Sequence, residues 1–130
     1  GWRKTAVARC LVKEGKGIVR INGTLLDALP WFLRMRIEEP LILSGEIAKK
    51  LDFKVNVYGG GVMAQADAVR TAIARGIIEY LKQKDEEKAM ELRKKFIQYD
   101  RTLLVPDTRM TEPQKPYRSA ARRMRQTSKR

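Results

Sequence analysis

The sequence has no histidine and only one cysteine, Cys10, in its 130 residues. A disulfide within the chain is therefore excluded, and the usual donor set of a structural zinc site is missing. Without histidine, acid–base catalysis would fall to Asp, Glu, Lys or Tyr. No apolar run approaches the roughly 18 residues of a membrane span. The first residues lack the charged-then-apolar order of a signal peptide. The chain begins with Gly1 where a start Met would stand, so the natural N-terminus is expected upstream. A cytoplasmic setting is the default for so little cysteine.

Acidic residues are scarce too: 15 Asp and Glu stand against 28 Lys and Arg, a net charge of +13. Such a charge opposes folding by self-repulsion unless an anionic partner neutralises it, and nucleic acid is the commonest such partner. Its distribution is more telling. Residues 1–36 hold 8 Lys/Arg against 2 Asp/Glu, a net of +6. Residues 37–100 hold 11 against 11, and residues 101–130 hold 9 against 2, a net of +7. The middle reads as an ordinary globular surface, and both ends read as polyanion contacts. Apolar residues, at 43%, suffice for one core.

Residues 4–12 place Ala6, Ala8, Cys10 and Val12 on one face at period two, and 17–22 (GIVRIN) is rich in β-branched side chains. The turn residues between them predict a β-hairpin, and Asn22-Gly23 marks a second turn. Pro30 and Pro40 each suit the first position of a helix. Residues 30–36 and 40–50 therefore read as two short helices, or one helix and a turn. Residues 53–58 alternate strictly, with Phe53, Val55 and Val57 inward, which predicts a half-buried strand. A long helix is expected from about Met63 to Lys82, with a stripe of Ala66, Val69, Ile73, Ile77 and Tyr80. Asp85 looks like the N-cap of another helix burying Ala89, Leu92 and Phe96. Residues 1–105 form the expected globular domain. Residues 106–130, with Pro106, Pro113, Pro116 and many arginines, read as an extended basic tail ordered by its partner.

Arg109, Lys115, Arg118, Arg122, Arg123, Arg125, Lys129 and Arg130 fall at irregular spacing, with Tyr117 among them. Arginine forks grip phosphate and their planes stack on unpaired bases, so the tail points to RNA more than to solubility alone. Gly59-Gly60-Gly61 lies between strand and helix. It lacks the Gly-Lys-Ser/Thr and Gly-x-Gly-x-x-Gly patterns of nucleotide loops. It fits either a tight turn with positive φ or a close approach of RNA backbone. Most carboxylates interleave with Lys and Arg, as on a solvated helix face. Asp52 and Asp67 suit cap or dipole roles, and Cys10 suits the core. Catalysis is poorly supported: no catalytic residue, metal site, cofactor or small-molecule substrate is expected.

These residues together resemble the family of ribosomal protein nine of the small subunit, counted as sixteen in eukaryotes. The resemblance runs almost end to end. It is carried by Gly1-Trp2-Arg3-Lys4-Thr5-Ala6, Ile21-Asn22-Gly23, Glu39-Pro40-Leu41, Val55-x-Val57-x-Gly59-Gly60-Gly61, Gln65-Ala66 and Ala72-Ile73-Ala74-Arg75. Tyr99-Asp100-Arg101-Thr102 with Glu112-Pro113 and Lys115-Pro116 is similar to the archaeal and eukaryotic branch. Gln126-Thr127-Ser128-Lys129-Arg130 is similar to the terminal signature. Trp2 departs from a position that is usually basic in the family.

The resemblance implies an α+β, two-layer α/β domain. About four strands form a small mixed sheet with helices on one face, a left-handed crossover and a long C-terminal tail. Thr102–Val105 is one candidate for the fourth strand. The resemblance also implies residence in the small-subunit head, bound to its ribosomal RNA and beside neighbouring head proteins. Ser128, Lys129 and Arg130 would reach the anticodon stem-loop of the peptidyl-site tRNA. The expected RNA contacts are Arg3, Lys4, Arg9, Lys16, Gly59, Gly60, Gly61, Arg70 and Arg101, joined by Arg109, Lys115, Tyr117, Arg118, Arg122, Arg123 and Arg125. The alternatives are an RNA-processing subunit shaped like the protein part of ribonuclease P, and a nucleoid or chromatin protein.

Overall fold

The alternating segment around Phe53 forms the centre of the sheet in the computed structural model, which describes residues 1–105, 108–110, 112, 113 and 116. Five strands, β1 (Trp2–Arg3), β2 (Ala6–Glu14), β3 (Val19–Ile21), β4 (Thr24–Leu25) and β5 (Leu51–Tyr58), lie in the order β1-β2-β5-β3-β4. β5 pairs antiparallel with β2, from Val7↔Tyr58 to Glu14↔Leu51, and parallel with β3. Its inward residues Leu51, Phe53, Val55 and Val57 are all buried, as are Ala6, Ala8, Val19 and Ile21 beside them. Each large aliphatic or aromatic side chain removed from water this way contributes about 1.5–3 kcal/mol.

The hairpin expected between β2 and β3 is not formed, because β5 inserts between them. β5 carries an apolar residue at every inward position, so pairing on both edges shields the strand with most to bury. The segment 15–18 bridges two strand spacings, about 10 Å, which four residues reach easily. It is pinned over the start of β5. The Asp52 carboxylate accepts from the Lys16 and Ile18 N–H groups at 2.9 and 3.1 Å, and Gly15 N–H donates to the Lys50 carbonyl at 2.9 Å. Asn22 and Gly23 turn the chain from β3 into β4, both at positive φ.

Pro40 does not start a helix. It lies inside α1 (Trp31–Ser44), which Gly45 ends before the single turn α2 (Glu46–Lys49). Pro40 leaves the Arg36 carbonyl without its usual N–H partner. Its ring is among the fully buried side chains, and that burial offsets the lost bond. α3 (Val62–Lys84) lies across the sheet, and α1 and α4 (Glu86–Tyr99) pack on α3, so the helices share one side. The stripe Ala66, Val69, Ile73 and Ile77 is buried, and Tyr80 is half-buried. Asp85 caps α4 by accepting from the Glu87 N–H at 3.1 Å, and Ala89, Leu92 and Phe96 are buried.

Thr102–Val105 supplies no strand. Asp100 accepts from the Thr102 N–H and hydroxyl at 2.9 and 2.7 Å, winding Arg101–Leu103 into a 3-10 turn. The strands beyond the three expected are β1 and β4, two residues each and too short to show a period. Leu103 is fully buried and is the last buried residue among those described. The basic tail, apart from residues 108–110, 112, 113 and 116, lies outside the described residues.

Candidate nucleic-acid interface

The strand-to-helix turn needs two of its three glycines for the chain itself. Gly59 and Gly60 have φ of 78° and 65°. A Cβ on Gly59 would stand 2.5 Å from the Thr5 carbonyl oxygen, and one on Gly60 3.0 Å from the Ala6 Cβ. Gly61 has open space where its Cβ would be and leads into α3 with no side-chain cap. The first N–H groups of α3 thus emerge at an exposed turn, where a helix N-terminus favours anions. Because Gly59 presses on Thr5, the Lys4-Thr5 turn is brought beside the glycine turn, and Lys4 is exposed there with φ of 53°.

Lys16 is not part of that group. It sits beyond the other end of β2, a strand length of about 26 Å away. Arg9 lies between them on β2, exposed and paired in register with Asn56.

A second cluster gathers at the N-terminal half of α3. Arg3, Arg36, Arg70 and Arg109 line a cavity of about 170 Å³ with Trp2, Asp67, Thr71, Asp100 and Thr102. Asp67 caps no helix; its carboxylate pairs with Arg36 and, at 3.6 Å, with Arg3. Arg70 differs from the other expected contacts in being only 7% exposed. Its Nη2 meets Glu39 Oε2 at 2.6 Å and Asp100 Oδ2 at 2.9 Å, and its Nη1 donates to Thr102 Oγ1 at 3.3 Å. That guanidinium ties α1, α3 and the turn after α4 together. Burial pushes the Asp100 carboxyl up, but the bonds from Arg70 and Thr102 outweigh it and hold the carboxyl below its usual range. Arg101 is exposed on the same turn.

Among the described residues, nothing covers the sheet face opposite α3. Register sets Trp2, Val7 and Tyr58 in one row across β1, β2 and β5, and Leu11, Lys54, Arg20 and Leu25 in another across β2, β5, β3 and β4. Arg20, Lys54 and Tyr58 are outward by strand parity, and sequence reading did not place them among the contacts. The alternation that marked Lys54 and Tyr58 as outward was the signal available for two of them. On the helix side of β2, Arg9, Arg75, Lys82 and Arg93 border a cleft of about 690 Å³, where Glu79 is the only carboxylate among the described residues.

Lys115, Tyr117, Arg118, Arg122, Arg123, Arg125, Ser128, Lys129 and Arg130 lie outside the described residues. Among the described residues no group of three His, Cys, Asp or Glu side chains could hold a metal ion, and no helix is long and apolar enough to cross a membrane. Burial pushes the Cys10 thiol up to about 12, so it is a protonated, poorly nucleophilic group at neutral pH.

The chain compares closely with known proteins. It is 51% identical over 129 residues to the small ribosomal subunit protein uS9 of Thermoplasma volcanium, covering 98% of this chain and 93% of the relative. It is 46% identical over 121 residues to the protein of that name from Methanococcus maripaludis, covering 92% and 86%. A third relative, from Methanococcus vannielii, matches to the same extent. The family model described as ribosomal protein S9/S16 matches residues 1–130. With a basic α+β domain and a match along its whole length, this chain belongs to the ribosomal protein S9/S16 family.

Proposed function

We propose that the protein is a structural constituent of the small ribosomal subunit, working in the cytoplasm and holding small-subunit ribosomal RNA. The distribution of charge supports this reading most: net +6 and +7 at the two ends of a neutral middle. The relatives carry the name of a small-subunit protein. Lys4 and the Gly61 end of α3 meet one phosphate run, and Arg3, Arg101 and Arg109 meet another. Arg9 and Lys16 contact RNA separately, because β2 holds them apart. Arg70 serves by holding those elements in place. The exposed Trp31, Met35 and Ile42 on α1 suit contact with neighbouring head proteins.

Residues 1–105 form the anchor in this account, and residues 106–130 a tail that neutralises RNA. Its last residues, Ser128, Lys129 and Arg130, reach the peptidyl-site tRNA. The test is sedimentation of cell extract on a sucrose gradient with the tagged full chain. Co-migration with small subunits is expected; a chain that stays at the top of the gradient, or travels with DNA, would contradict it. Particles carrying a chain without Lys129 and Arg130 should assemble normally and release peptidyl-site tRNA faster. Normal retention would count against the tRNA contact.

A further inference from the structure

We propose that the uncovered face of the sheet is a platform for unpaired RNA, with bases stacking on Trp2 and Tyr58 and phosphates drawn to Arg9, Arg20 and Lys54. This rests on the RNA-binding reading above and extends the contact given there to Arg9 across Arg20, Lys54, Trp2 and Tyr58, which that reading does not use. A sheet covered by helices on one side normally shows water a polar face. Here Tyr58, Leu11 and Leu25 are 55%, 59% and 48% exposed.

The charges on this face lack counter-charges of their own. Arg20 and Lys54 are register partners, and like charges side by side on neighbouring strands repel. Among the described residues neither has an ion-pair partner, and nor does Arg9. Among the described residues the one carboxylate on the face, Asp52, lies at its far end. Its Oδ1 already accepts from the Lys16 and Ile18 N–H groups. An unneutralised cation pair beside the exposed ring of Tyr58, with the half-buried ring of Trp2 in the same row, calls for a ligand with both negative charge and flat apolar surface. Unpaired RNA has both, because its bases are free to leave the stack and lie on aromatic rings. A duplex offers phosphates but hides its base faces. Trp2 and Tyr58 sit two strand spacings apart, about 10 Å, so they would receive two splayed bases and not a stacked pair.

The test uses the full chain and a single-stranded small-subunit RNA fragment carrying 4-thiouridine. Ultraviolet crosslinks at Trp2 or Tyr58 are expected in the unmutated protein. Tyr58→Ala should weaken binding about ten-fold, the effect of losing one stacked base, whereas Tyr58→Phe should stay within about two-fold. Replacing Arg20 and Lys54 by Gln should flatten the dependence of log affinity on log salt by about 1.4. All three positions are outward-facing, so circular dichroism should show an unchanged fold. If the unmutated chain binds tightly but its crosslinks avoid β1 and β5, the platform is refuted and an acidic protein is left as occupant of the face. If the unmutated chain does not bind ribosomal RNA at all, the broader reading falls with it.

Discussion

Arg70→Met should unfold the protein about 10 °C earlier, and the number follows from what the guanidinium holds. It makes ion pairs of 2.6 and 2.9 Å to Glu39 and Asp100 from a side chain only 9% exposed. Removing one partner of a fully buried pair costs about 3–5 kcal/mol. Glu39 and Asp100 are 30% and 38% exposed, so water recovers part of their solvation and about 3 kcal/mol remains. For a chain of this size that is about 10 °C in Tm. Arg70→Lys keeps the charge but not the fork, and should lose roughly half as much. Thermal unfolding followed by circular dichroism at pH 7 measures both. The Asp100 carboxyl is held below its usual range, so its contribution is present above about pH 4 and lost as pH falls through the folded value. Arg70→Met should therefore show a flatter stability curve at the acid end. A Tm within about 3 °C of the unmutated chain, together with weakened ribosomal RNA binding, would refute the reasoning and return Arg70 to the contact surface.

Other consequences are as direct. Asn22→Ala should cost about 2 kcal/mol in urea unfolding, because its side chain both donates to the Val57 carbonyl and accepts from the Val57 N–H. An unchanged midpoint would contradict that bridge. Asp52 is held below the usual carboxylate range by the Ile18 and Lys16 N–H groups. Its contribution is thus lost only on acidification, and Asp52→Asn should destabilise at pH 7 and change little well below pH 3. Equal destabilisation at both pH values would argue against it. Cys10 is half-buried with its thiol pushed up to about 12, so it should react with a thiol reagent at pH 8 far more slowly than a free cysteine. Labelling at the rate of a free thiol would contradict that.

Much of this fold was legible because the periods were strong. The alternation from Phe53 to Val57 and the three-and-four spacing from Ala66 to Ile77 record burial directly. Asp85 announced a cap that forms as read. Strand order was not legible, because the apolar pattern says which face of β5 is buried and not that both its edges are taken. Pro40 misled because its local preference for a helix start yields to burial of its ring in the core. Asn22 reads as a turn residue, and its second role, extending the ladder to Val57, exists only once β5 lies beside β3. For the interface, sequence gave weight to the number of cations and could not rank them. Arg70 and Arg101 look alike in the sequence; one is buried in a salt-bridge cluster and the other is exposed.

RNA binding by this protein depends on the crowding of positive charge beyond the last buried residue. Its most direct measurement compares ribosomal RNA affinity across salt for the full chain and for a chain ending at residue 106. Each tail contact with single-stranded RNA adds about 0.7 to the slope of log affinity on log salt, and the eight Lys and Arg removed set a ceiling near 5.6. The expected result is a shortened chain that unfolds cooperatively, binds far more weakly and has a slope lower by several units. A shortened chain with the same affinity and the same slope would contradict it.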